Sequence, residues 1–331
     1  MLRLDANEGR CLLSEKDLRE ILSPEVARRY PVRGLLEEPL AARLGLPPEC
    51  VLATAGADDA IDRAVRTLAG PGGLVMSTHP GFVEFLAAAQ RSSASYDSIP
   101  KDPFGPFPID EIGATVAARR PQLLILSSPD NPSGRVLTRD ELACIAAACA
   151  ESGTIFIFDV TYGDFSPSSA TPADAFEFSN VLVSGSFSKS RGLAGFRIGY
   201  IAGNMEMKDI IARLAEAGPP YSLSSSAIEA GRKALALEPE TVARFVGEIQ
   251  HEARSLREML LGMGYRVSES EANFILVQTE TAVEFARALR EKGILVRTWD
   301  AKPGYEGLVR ITVPGDPEEF EELARAIASI R

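Results

Sequence analysis

Histidine is almost missing from this 331-residue chain: His79 and His251 are the only two, far apart in sequence. The four cysteines, Cys11, Cys50, Cys144 and Cys149, show no C-x-x-C spacing. Together these shortages argue against a His/Cys metal site, so no metal is expected. Cys144 and Cys149 fall in an alanine-rich helical pattern and read as buried thiols. An excess of basic residues is also lacking. With 35 Lys and Arg against 46 Asp and Glu, the net charge is −11 and the isoelectric point near 4.9. A nucleic-acid surface would need a basic patch, so no nucleic-acid partner is expected. No apolar run reaches the ~18 residues of a membrane span, and the first residues, MLRLDANEGR, are charged. Neither a span nor a signal peptide is expected, and a reducing cytoplasmic setting fits. Gly192, Gly195 and Gly199 lack the G-x-G-x-x-G order, which removes a nicotinamide-dinucleotide loop.

What is present is an ordinary globular composition, 45% hydrophobic and 24% charged, on a chain long for one domain at ~100–200 residues each. Short apolar runs alternate with helical patterns. GLVMST (73–78), QLLILSS (122–128), TIFIFD (154–159) and NVLVSGS (180–186) are apolar throughout, as buried strands of a parallel sheet covered on both faces. Thr138 to Glu141 forms a capping box, and Asp58 to Leu68 reads as another helix. The expected fold class is α/β, with right-handed crossovers. After Ser226 the texture changes. Val242, Phe245, Ile249, Leu256 and Leu260 mark one face of a long helix, followed by ANFILVQ, GILVRT and GLVRITV as strands. That is a smaller α+β unit, with a boundary expected near Phe245.

The chemistry gathers in GSFSKSRGLAGFRIGY, residues 185–200. The plain alternative for Lys189 is a solvated surface lysine. Its place after a predicted buried strand favours another reading, because open α/β sheets hold ligands at the C-terminal ends of their strands. A partly desolvated lysine near another cation loses basicity and becomes a Schiff-base former. Ser186, Ser188 and Arg197 flank it and suit a phosphate. A carbonyl cofactor bearing a phosphate meets both demands, and pyridoxal 5′-phosphate is such a molecule.

That cofactor's ring nitrogen needs a carboxylate. IFIFDVTYGDF supplies Asp159, with a helix cap as the competing role, and Tyr162 stands three residues on as a donor to the phenolic oxygen. SSPDNPSG is turn chemistry, and Asn131 either serves that turn or the ligand. TAGADDAID opens a helix whose Ala57 and Asp58 amides suit phosphate oxygens, although a plain N-terminal turn reads the same way. Phe82 suits ring stacking or the core.

In their order along the chain these motifs resemble the class I/II pyridoxal-phosphate aminotransferases of fold type I, and most closely the histidinol-phosphate aminotransferase branch. LDANEG, AGADDAID, PDNPSG, FDVTY, SFSKSRGLAGFRIGY, PPYSLS, EANFILV and LVRITV carry the likeness over nearly the whole chain. The resemblance implies a mostly parallel central sheet with helices on both faces and a smaller α+β C-terminal domain. It implies an arm over residues 1–30 that packs with the small domain and a partner subunit, a cofactor domain over 31–244 and a small domain over 245–331. It makes Lys189 the cofactor-bearing base that moves the substrate Cα proton, with Asp159 on the ring nitrogen and Tyr162 and Asn131 on the phenolic oxygen. Phe82 would stack on the ring. Ala57, Asp58, Ser186, Ser188 and Arg197 would hold the phosphate, joined by Tyr30 of a second subunit in a homodimer. Arg310 would take the substrate carboxylate, with Asn7 nearby. Apart from the resemblance, Arg191 and Arg297 read either as solvated surface charges, the commoner fate of such residues, or as further cations for a distal phosphate.

The family's usual Asp-Glu-Ala-Tyr is here Asp159-Val160-Thr161-Tyr162, and Phe82 stands where a tyrosine is common. These departures bear on the substrate: histidinol phosphate, another phosphorylated amine or an amino acid, with a 2-oxo acid as acceptor. A threonine-phosphate decarboxylase-like lyase would use the same lysine. An idle aminotransferase-like binding domain would have no use for it.

Overall fold

The most apolar runs of the chain become the middle of its larger sheet. The computed structural model describes residues 1–299 and 302–330. In chain order the first strands are β1 (Leu2–Leu4), β2 (Val51–Thr54), β3 (Leu74–His79) and β4 (Ser95–Pro100). Then come β5 (Leu123–Ser127), β6 (Ile155–Asp159), β7 (Val181–Ser186) and β8 (Gly199–Ala202). The last are β9 (Arg266–Val267), β10 (Phe274–Gln278), β11 (Ile294–Thr298) and β12 (Leu308–Thr312). Strands β2 to β8 form a seven-stranded sheet of order β2-β8-β7-β6-β5-β3-β4.

This sheet is covered on both faces, as its uniformly apolar strands require. Leu124, Leu126, Phe156, Phe158, Val181 and Val183 enter one core cluster, while their neighbours Leu123, Ile125, Ile157 and Leu182 enter the other. The period-two alternation of a strand divides them. Helices such as Arg139–Ser152, opened by the Thr138 capping box, and Ala57–Ala64 supply the outer layers. On Arg139–Ser152 the cysteines depart from expectation, because Cys149 is buried and Cys144 is exposed. At 3.6 residues per turn, a five-residue separation places them on opposite flanks of the helix.

One strand runs against the others. β8 is antiparallel to both β7 and β2, a reversal that the apolar runs do not signal. Between β7 and β8 only a short 3₁₀ turn, Ala194–Phe196, forms. That link holds no crossover helix, so the chain returns as a neighbouring antiparallel strand. The return keeps Lys189 and Arg197 at one edge. Ser186 pairs with Gly199 there, and Thr54, at the end of β2, pairs with the same glycine.

The second sheet has the order β1-β11-β12-β10-β9. β1 joins it in parallel through Leu2 to Leu4 against Ile294 to Val296, so the first residues of the chain are hydrogen-bonded to its last third. Helices Pro239–Gly262, Ala282–Glu291 and Pro317–Ala328 belong to this half. Residues 244 and 245 lie inside Pro239–Gly262. From Phe245 onward that helix turns Ile249, Leu256 and Leu260 into the core of the second sheet. None of the helices is long and apolar enough to cross a membrane, and no cluster of metal-ligating groups occurs among the described residues.

Candidate active site

The C-terminal ends of β2, β5, β6 and β7 converge on a cavity of about 380 Å³. Parallel strands end with their side chains and succeeding loops pointing the same way, which makes such an edge the natural place for a ligand. Lys189, Asp159, Tyr162 and Asn131 line it, and so do Phe82, Ala57 and Asp58. Ser186, Ser188, Arg197, Arg310 and Asn7 complete the set. Tyr30 is absent from it. That residue is 78% exposed and stacks on Tyr221 with ring centroids 4.7 Å apart.

Lys189 Nζ donates to the Ala6 carbonyl at 3.0 Å and stands 5.7 Å from the Tyr162 ring centroid. No carboxylate forms an ion pair with it among the described residues. Burial, aided by the charge of Arg310, pushes its pKa down to about 8. An amine so poised is partly neutral near pH 7 and therefore nucleophilic.

Asp159, at the end of β6, is 4% exposed. Its Oδ1 accepts from the Thr161 amide at 3.1 Å and from Thr161 Oγ1 at 2.7 Å. It has no cationic partner among the described residues, and burial pushes its pKa up to about 6. The helix-cap role fails, because the next element is a single 3₁₀ turn, Gly163–Phe165, with no side-chain cap. A carboxylate buried without a counter-charge is costly unless something binds it.

Tyr162 is held from two sides. Asn7 Nδ2 donates to its hydroxyl at 3.0 Å and Asn131 Nδ2 at 3.5 Å. Burial raises its pKa. Asn7 has a left-handed φ of 53° and is fixed by Thr312 Oγ1, which accepts its amide at 3.0 Å. Asn131 sits in a turn whose Asp130 is paired with Lys101 at 2.6 Å, both side chains 3% exposed. From β12, Arg310 donates to Asn131 Oδ1 at 2.7 Å and to the Asp5 carbonyl at 2.8 Å. Its Nε finds no partner. Burial, with the neighbouring Arg297, lowers the pKa of Arg310 to about 10. Arg297 stands directly opposite Arg310 in the β11–β12 register.

The other end of the cavity is made from backbone. Gly56 takes φ 87° immediately before the helix Ala57–Ala64, and a Cβ there would lie 2.6 Å from Arg197 Nη2. Only glycine lets the arginine lie across the first turn, whose amides lack intrahelical acceptors. Arg197 is itself left-handed at φ 53° and bonds Asp58 Oδ2 at 2.6 Å. Ser188 Oγ is buried without a partner. Phe82 is half-buried and meets Phe85 edge-on at 5.4 Å.

These residues fit pyridoxal 5′-phosphate. An open helix N-terminus, an orphaned serine hydroxyl and a half-exposed arginine suit a phosphate. An unpaired buried carboxylate suits a protonated ring nitrogen, and a weakly basic lysine suits an aldehyde. Arg191, by contrast, lies in a different cavity beside Asp164.

Thr161, the Ala6 carbonyl and Thr312 escape a reading of motifs alone. Thr161 has a local signal, since a hydroxyl two residues after an aspartate commonly bonds it. The other two depend on the β1–β11 pairing, which leaves no short-range trace.

The family model described as aminotransferase class I and II matches residues 14–327. The histidinol-phosphate aminotransferase of Desulfitobacterium hafniense (strain DSM 10664 / DCB-2) is 32% identical over 99% of this chain and 91% of its own length. Among solved structures, the histidinol-phosphate aminotransferase of Sinorhizobium meliloti in complex with pyridoxal 5′-phosphate superposes with a TM-score of 0.87 at 23% identity, covering 98% and 89% of the two chains. The L-threonine-O-3-phosphate decarboxylase of Porphyromonas gingivalis gives 0.82 at 24%, covering 99% of each.

Proposed function

The chain belongs to the class I and II aminotransferase family and is a pyridoxal-5′-phosphate enzyme of fold type I; on that premise we propose that its amino donor is histidinol phosphate or a phosphorylated amine like it, and its acceptor a 2-oxo acid such as 2-oxoglutarate. The observation that carries the donor assignment is the pair Arg310 and Arg297. They face each other across β11 and β12, and both guanidinium groups lie within 5.8 Å of the Trp299 ring centroid. Neither has a carboxylate partner among the described residues. Arg297 is exposed and does not line the cavity, so its charge adds from outside to that of the buried Arg310. Together they favour an anion, and a phosphate accepts more hydrogen bonds than a single carboxylate.

The remaining side chains take the roles that the family resemblance implies. Bound in the cavity, pyridoxal 5′-phosphate supplies an aldehyde for the amine and a ring that accepts the electrons released at the substrate Cα. Lys189, partly neutral, would take the Cα proton and hold it on Nζ for return. Asp159 would keep the ring nitrogen protonated. Tyr162 and Asn131 would orient the phenolic oxygen. Ser186, Ser188, Arg197 and the amides of Ala57 and Asp58 would hold the phosphate, while Phe82 would cover the ring. Asn7 steadies Tyr162 from the N-terminal arm.

We also propose that the enzyme acts as a homodimer in which Tyr30 serves the partner's phosphate site. What supports this is its exposure beside exposed Tyr221, Val32 and Leu35, a cluster of large apolar groups that a second copy would cover.

The test compares kcat/KM for histidinol phosphate, phosphothreonine and common amino acids with 2-oxoglutarate, while CO₂ is monitored. Histidinol phosphate is expected to lead, with no CO₂ released. Turnover of unphosphorylated amino acids alone would overturn the phosphate assignment. CO₂ from phosphothreonine would replace it with the decarboxylase chemistry of the Porphyromonas gingivalis neighbour.

A further inference from the structure

A second cavity, of about 340 Å³, lies behind Asp159. Thr161 and Ser186 line both cavities and form the partition between them. Its wall combines the apolar Leu40, Leu44, Val160 and Leu235 with the polar groups of Arg191, Arg43 and Tyr200.

The polar groups of this wall hold more donors than acceptors. The Arg191 side chain is 7% exposed, and its one ion pair among the described residues is with the half-exposed Asp164 at 3.1 Å. Its Nη1 also donates to Ser190 Oγ at 3.3 Å. Burial and the charge of Arg43 hold the Arg191 guanidinium below its usual range. Arg43 itself has no ion pair among the described residues. Tyr200 is buried, its ring lying against Gly185, where a Cβ would be 2.4 Å from Cζ. The Tyr200 hydroxyl makes no hydrogen bond to any described residue. The nearby hydroxyls are already engaged: Ser169 with Ser128 Oγ at 2.7 Å and Thr171 with Asp174 at 2.6 Å.

We propose that this cavity is a second ligand site for a small amphipathic carboxylate, such as a short aliphatic or aryl acid. The acid group would meet Arg43, Arg191 and Tyr200, and the hydrocarbon part would lie against Leu40, Leu44 and Leu235. A bare inorganic anion would leave the apolar side chains wet, whereas a purely apolar ligand would leave the Arg43 guanidinium and the Tyr200 hydroxyl without an acceptor. The volume falls within the usual range for small-molecule sites, roughly 300–1,000 Å³. An occupant touches the Thr161 partition, whose hydroxyl bonds Asp159 at 2.7 Å, so the cofactor absorbance should report its arrival. The proposal does not rest on the donor assignment, since binding is measured without turnover.

The experiment is calorimetric titration of the holoenzyme with hexanoate and phenylacetate, with inorganic phosphate as the comparison. Saturable binding of one acid per chain is expected, with a change in the cofactor absorbance. Arg43→Gln should weaken it about tenfold, the loss expected for one charge-assisted hydrogen bond, and Tyr200→Phe by several-fold. Arg43 is exposed on the helix Gly34–Leu44, so its variant should fold even where Tyr200→Phe does not. Arg310→Gln should bind the acids as the wild type does. The proposal falls if neither acid binds, if Arg43→Gln binds them unchanged, or if phosphate binds as tightly as hexanoate. Loss of binding in Arg310→Gln alone would place the acids in the catalytic cavity and equally overturn it.

Discussion

The two ends of the catalytic cavity are built on opposite principles. Around the helix Ala57–Ala64 the site is mostly backbone and half-exposed side chains, and the ion pair lining it, Arg197 with Asp58, has side chains 49% and 45% exposed. Solvent meets the needs of that pair when no ligand is there, and only the Ser188 hydroxyl of this end is buried without a partner. Around Asp159, Lys189 and Arg310 the charged groups are buried, and each lacks a counter-charge among the described residues. Their pKa values move accordingly, to about 6, 8 and 10, each toward the neutral form. The first end is a cradle that costs little to keep empty. The second is destabilised until it binds, which is how binding free energy becomes available to chemistry.

The largest break of this contrast is expected from Asp159→Asn. An amide does not keep the ring nitrogen protonated, and breaking a buried pair costs ~3–5 kcal/mol, so turnover should fall several hundred-fold or more. The same change should stabilise the cofactor-free protein. The folded pKa of Asp159 is raised above its ordinary 3.8 to about 6. The group therefore favours the folded state fully only below about pH 4, and that contribution is lost as pH rises through 6. Above pH 6 the wild type carries a penalty of about 3 kcal/mol, at ~1.4 kcal/mol per unit, that asparagine does not. Urea unfolding of both cofactor-free proteins at pH 4 and pH 8 checks this. The variant should gain at pH 8 and not at pH 4, and equal differences at the two pH values would refute an unpaired carboxylate.

At the cradle, Arg197→Gln should act on affinity rather than chemistry. Losing charge-assisted hydrogen bonds worth ~1.5–3 kcal/mol should weaken cofactor binding about ten- to hundredfold. Turnover at saturating cofactor should stay within about threefold. Because Arg197 is half-exposed, the deficit should shrink as salt is added, unlike that of Asp159→Asn. Equilibrium dialysis at two ionic strengths measures it, and a salt-independent loss would mean the guanidinium is buried in the holoenzyme.

Legibility in the sequence tracks the range of the interaction. The strands β3, β5, β6 and β7 show as apolar runs because both their faces are buried, and the Thr138 cap shows because its partners are three residues apart. Lys189, Asp159, Asn131 and Arg310 stand out because each succeeds or occupies such a strand, and the structure gathers them in one cavity. What depends on pairing between distant segments stays hidden. β8 reverses because its connection is short, β1 joins β11 across nearly the whole chain, and Cys144 is exposed by its flank of a helix.

The smallest effect, and the sharpest probe of the contrast, is expected from Thr161→Val. Valine keeps the shape of threonine but removes the hydroxyl that donates to Asp159 Oδ1 at 2.7 Å, while the amide bond at 3.1 Å remains. Losing one of two donors to a carboxylate should raise the pKa of Asp159 further, because hydrogen bonds to the charged form favour it. With the remaining donor and the ring nitrogen still in place, the cost should be about 1–1.5 kcal/mol, a five- to tenfold fall in kcat rather than several hundred. Thr161→Ser should restore most of it, and a cradle variant such as Ser188→Ala should leave the pH profile of kcat where it is. The measurement is that profile in all three variants. If Thr161→Val lowers kcat without moving the acidic limb upward, the hydroxyl acts by packing alone, and the buried end of the cavity is not tuned through Asp159.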